Sequence, residues 1–87
     1  MLKIWAKQMH GQKLGKNYVY ESLDNYDPET LYLHIAEICH TLDMPTPVIL
    51  KSHILNFHKF NYATFTKADF VESTDFDSFI IEHVIIK

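Results

Sequence analysis

Two helix-start signatures, Asp27-Pro28-Glu29 and Thr46-Pro47, divide this chain and fix its class. In each, a side-chain oxygen can accept from the free amides of a first turn. Proline suits the first helical position, where its missing N–H is no loss. Behind the first signal, Leu31, Ile35, Ile38 and Leu42 fall within about 60° of one another at 3.6 residues per turn. That stripe predicts a helix to about Leu42, stopped by Pro45. Behind the second, Leu50, Ile54 and Phe57 form another stripe, with Phe60 at its edge. Joined by Asp43-Met44-Pro45, the two predict an antiparallel helical hairpin.

The flanks read as β-structure. Leu2, Ile4 and Ala6 alternate with Lys3, Trp5 and Lys7, the period of a strand. Gly11 precedes a second β-rich run, Tyr18-Val19-Tyr20, so a type II′ hairpin with Gly11 in its first loop position is expected. In that register Ile4 faces Val19, Trp5 faces Tyr18, and Lys7 meets Lys16, an unfavourable pairing. A three-residue loop would put the tyrosines on the Ile4 face instead. After Asn61 the chain reads as irregular, apart from a capping box at Thr66-Lys67-Ala68-Asp69 that predicts one helical turn to Phe70. Phe65, Phe70, Val71 and Phe76 are expected to anchor this stretch to the core. Phe79 to Ile86 is apolar and β-branched, a strand with apolar residues on both faces. The order ββααβ describes one α+β domain over residues 1–87, about three antiparallel strands with the helical hairpin on one face.

Composition narrows the function classes. At 87 residues with 47% hydrophobic content, the chain is a folding one and too short for two cores. Cys39 is the single cysteine, so no disulfide framework exists, and with no export signal at the start the expected compartment is the cytosol. Apolar runs are far short of the ~20 residues of a membrane helix, so no membrane partner is expected. Residues 1–20 hold four lysines and no acid, while all eleven acids lie beyond them, against four lysines. The lysines are spaced along the hairpin rather than gathered in a nucleic-acid arm.

Six histidines pose the question of metal. His34 and His40 are turned about 240° apart on their helix, and His53 and His58 about 140°, so neither pair can share a metal. His34 and His53, one from each helix, are the weak remaining candidates. Cys39 flanks the first stripe without an activating neighbour that shares its direction, and reads as a buried structural thiol. The acids Asp69, Glu72, Asp75 and Asp77 read as a solvated, turn-forming face. Asp75-Phe76-Asp77 starts like a calcium loop but lacks its glycine and distal glutamate. No catalytic residue and no cofactor follow from these patterns.

The aromatic and basic residues of the hairpin are the most suggestive set. With Ile4 turned to the helices, Lys3, Trp5 and Lys7 face outward, and Tyr18 and Tyr20 are expected beside them. Such a face can bind a protein or a second copy, or can stack on single-stranded bases. Aliphatic bulk from the last strand favours the protein partner. Lys3-Ile4-Trp5-Ala6-Lys7, Tyr18-Val19-Tyr20-Glu21-Ser22, Leu42-Asp43-Met44-Pro45-Thr46-Pro47-Val48, Asp69-Phe70-Val71-Glu72-Ser73 and Asp75-Phe76-Asp77 together resemble a family of small uncharacterised bacterial proteins, mostly of anaerobic Gram-positive species. The resemblance implies a small cytosolic protein and brings no activity with it. The reading that leads is a non-catalytic interaction module, docking or forming a homodimer through its open sheet face. A nucleic-acid accessory protein comes second, and a small metal-dependent enzyme on His34, His53 and Cys39 third.

Overall fold

The computed structural model describes residues 1–85. Its elements are β1 (Leu2–His10), β2 (Lys13–Ser22), α1 (Leu31–Thr41), α2 (Lys51–Phe60), β3 (Tyr62–Thr66), a single 3-10 turn (Lys67–Asp69) and β4 (Ser78–His83). Every strand pairing is antiparallel, in the order β2-β1-β4-β3. The class is α+β, with both helices on one face of the sheet. Among the described residues no helix is long and apolar enough to cross a membrane.

Alternation builds the core. Leu2, Ile4 and Ala6 of β1, Phe79 and Ile81 of β4, and Ala63 and Phe65 of β3 all point to the helices and are buried. Leu31, Ile35, Ile38 and Cys39 of α1 and Phe57 of α2 close over them. β3 is a strand where the sequence reads as irregular. Its Tyr-Ala-Thr-Phe-Thr run has the required period of two, but it is short, and it is entered from α2 through Asn61 alone. Asn61 adopts the left-handed conformation, φ 63°, as the end of α2. Of the expected loop anchors, Phe65, Phe70 and Phe76 are buried, while Val71 is 91% exposed. Ile86 of the expected last strand lies outside the described residues.

Both helices begin about one turn after their proline. Asp27 accepts from the Glu29 amide (2.9 Å) and shapes a turn before α1, which itself starts at Leu31. In α2 the capping group is His53, whose Nδ1 accepts from the Leu50 amide at 2.9 Å. α1 stops without help from Pro45. Met44 N–H donates to the Cys39 carbonyl and Asp43 N–H to that of His40, with Asp43 at φ 53°, a Schellman ending.

The hairpin turn is as read, but the register beyond it is not. His10 pairs with Lys13 around Gly11-Gln12, and of those two only Gly11 has a positive φ, 61°. Met9 then pairs with Leu14, whereas Lys7 pairs with Asn17. Gly15 and Lys16 therefore stand opposite Gln8 alone, a β-bulge. A Cβ at Gly15 would lie 2.8 Å from the His10 ring and 3.0 Å from the Gln8 carbonyl oxygen, so a larger residue there would have to push the exposed His10 ring aside. The bulge removes the Lys7–Lys16 opposition and turns every later side chain of β2 to the other face.

Candidate functional site

The helices cover one side of the sheet, and the other side is open. Reading across β2, β1, β4 and β3, one row of the open face holds Val19, Trp5, Glu82 and Tyr62. The next holds Asn17, Lys7, Ile80 and Thr64, and a third Leu14, Met9, Ser78 and Thr66. Trp5 sits near the middle. Its Nε1 donates to Asn17 Oδ1 at 3.2 Å, and the Lys7 ammonium lies 4.2 Å from its ring centroid. Lys7 also reaches Glu82 (3.9 Å), and Lys3 reaches Glu21 (3.5 Å). Pairs as open as these are worth less than about 1 kcal/mol, so their consequence is charge cancellation more than stability.

Trp5, Lys3 and Lys7 thus occupy the face expected of them. Tyr18 and Tyr20 do not. The bulge places them opposite Ala6 and Ile4, on the helix side. Tyr20 is buried, and its hydroxyl lies 2.7 Å from His34 Nδ1 and 2.9 Å from Glu37 Oε2. Burial, with the Glu37 hydrogen bond behind it, pushes the Tyr20 pKa up. The aromatic partner of Trp5 on the open face is Tyr62 instead, 51% exposed on the strand that sequence reading missed.

The two weak metal candidates are separate. His34 contacts Tyr20 of β2, while the His53 ring lies tilted against Phe65 of β3, centroids 4.2 Å apart. β2 and β3 are the outer strands, and three strand spacings put them on the order of 14 Å apart. Because His53 Nδ1 accepts from Leu50, its ring proton sits on Nε2 and faces Asp69 Oδ2 at 3.5 Å. His53 is a clip between α2 and the 3-10 turn. Among the described residues no group of three or more metal-ligating side chains converges. Cys39 is fully buried, and burial pushes its thiol up to about 12, the state of a structural cysteine.

No family model, no curated protein and no solved structure matches this chain. The site is read from its own geometry. Sequence reasoning missed the Tyr20–His34–Glu37 cluster because it depends on the bulge. The available signal was the shared face of His34 and Glu37, one helical turn apart.

Proposed function

We propose that this chain is a non-catalytic, cytoplasmic interaction module that docks on a second copy of itself through the open sheet face. The observation that carries this is the composition of that face. Trp5 stands near its middle with Val19 beside it and Ile80 in the next row, Met9 and Leu14 lie one row further on, and none of these has helix cover. Tryptophan is among the residues most enriched at the energetic centres of protein interfaces. The two lysines and two glutamates of the face cancel, so two copies meet without repulsion, and a two-fold axis lets one patch complement itself. The same pairing argues against nucleic acid, since lysines already held by carboxylates gain little from phosphate. The lone, buried Cys39 fits a reducing compartment.

In projection, four strands by six residues present roughly 400 Å² per copy, about half the ~800 Å² of a standard interface partner. The dimer is therefore expected to be weak, in the micromolar range or above. Sedimentation across that range should show reversible association. Trp5→Lys with Ile80→Lys should give a monomer with unchanged far-UV circular dichroism. A wild-type chain that stays monomeric overturns the homodimer. Binding of single strands that weakens steeply with salt would establish the nucleic-acid reading in its place.

A further inference from the structure

On the helix side, at the edge formed by β2, the connection from Ser22 to Thr30 and the outer face of α1 enclose a polar cleft of about 450 Å³. Three carboxylates face it, from Asp24, Asp27 and Glu37, and no lysine or arginine lines it; Glu21 borders the cleft, but its carboxylate turns to Lys3 on the open face. Acidic lining alone would describe an ordinary solvated edge. What singles out this cleft is His34, which forms part of its wall although only 6% exposed.

Hydrogen-bond arithmetic fixes what His34 offers. The Tyr20 hydroxyl has one proton and two neighbours, His34 Nδ1 at 2.7 Å and Glu37 Oε2 at 2.9 Å. A carboxylate can only accept, so Tyr20 donates to Glu37. The short contact to His34 then requires Nδ1–H to donate to the tyrosine oxygen. In the neutral imidazole, Nδ1–H leaves Nε2 with a lone pair. Nε2 has no protein partner among the described residues, yet the Tyr26 hydroxyl is the single polar side-chain atom there that is both sealed from solvent and unpartnered. Nε2 therefore reaches solvent, and it does so through the cleft. Tyr20 has already used its proton, Glu37 keeps a free oxygen, and His34 presents an acceptor. Every strong group at the base of the cleft asks for a donor.

We propose that this cleft binds a small organic cation, a primary amine or a guanidine, held between the Glu37 carboxylate and Nε2 of His34. Asp24 and Asp27 at the rim attract the ligand, and the volume lies within the range of small-molecule sites. A metal ion fits less well, because the carboxylates do not converge on one point. An anion would be repelled by the Asp24, Asp27 and Glu37 carboxylates. The site is on the opposite side of the sheet from the proposed docking face, so each can fail without the other.

Titration of the isotope-labelled protein with putrescine and with agmatine, followed by amide chemical shifts, tests this. Saturable shifts are expected at Tyr20 and from Asp24 to Leu33, and glutarate should produce none. Glu37→Gln, at an exposed position, should weaken binding about tenfold, the usual weight of one charge-assisted hydrogen bond. Asp75→Asn removes the same charge away from the cleft and should leave binding unchanged. Shifts that never saturate, that map elsewhere, or that fall equally in both variants would overturn the proposal. Should Glu37→Gln not fold, the wild-type shift map decides alone.

Discussion

At the scale of single residues, burial redirects several side chains from their ordinary chemistry. His83 packs face to face on Phe57 (5.4 Å, 20° between planes) and against Tyr26 (5.3 Å). Burial holds its pKa below the ordinary 6.5. The unfolded chain therefore takes up this proton first on acidification. The contribution of His83 is intact above the ordinary value and is lost as pH falls through it toward the lower folded one. Urea midpoints should accordingly drop below about pH 6.5, and His83→Phe should flatten that part of the profile. An unchanged profile would mean that His83 is protonated as readily in the folded chain. Residue states of this kind were partly legible. Cys39 reads as a buried thiol from its place beside the stripe, because a helical phase needs only local spacing. For Tyr20 the sequence left two faces open, and the Ile4 face, expected only of a three-residue loop, is reached instead through a bulge five residues away.

Among the elements, the helices were legible in existence and phase, and less so in their ends. Leu31, Ile35 and Ile38 form the buried stripe of α1 as their spacing requires. In α2 the stripe is rotated. Phe57 is fully buried beside His53, Ile54 is only half-buried, and Leu50 precedes the helix and is half exposed. Starting the helix at Pro47 counted Leu50 into a face it does not share. His53 entered the buried face because its Nδ1 satisfies the Leu50 amide, a role that apolar periodicity does not register. The rotation has a measurable consequence. Phe57→Ala should cost about 3–5 kcal/mol and Ile38→Ala about 2–5, as emptied core sites do. Ile54→Ala should cost clearly less than either. Lys51→Ala and Lys59→Ala, on exposed positions, should stay within about 0.5 kcal/mol. Denaturant unfolding of the five variants gives the order, and equal losses at Ile54 and Phe57 would contradict this packing.

For the whole molecule, the decisive feature is that the two middle strands come from opposite ends of the chain. β1 (Leu2–His10) pairs with β4 (Ser78–His83), and Val84 N–H still donates to the Lys3 carbonyl at 2.9 Å. β2 joins the sheet only through β1, and β3 only through β4. The molecule is thus two sub-units of sequence, β1-β2-α1 and α2-β3, that share a sheet through one late strand. Without β4, the first keeps a hairpin and a helix, while the second keeps a helix and a strand with nothing to pair with. Each is about 40 residues or fewer, below the size at which a core holds without other support. A chain ending at Asp77 should therefore lose its cooperative thermal transition altogether rather than shift it. Amides of β1 that exchange slowly in the full chain should exchange almost as fast as in an unfolded one. A synthetic peptide of residues 78–87 added to the truncated chain should restore both, because the missing hydrogen bonds lie along one uninterrupted strand. Cooperative unfolding of the truncated chain by itself would show instead that the β1–β2 hairpin and α1 form a core of their own.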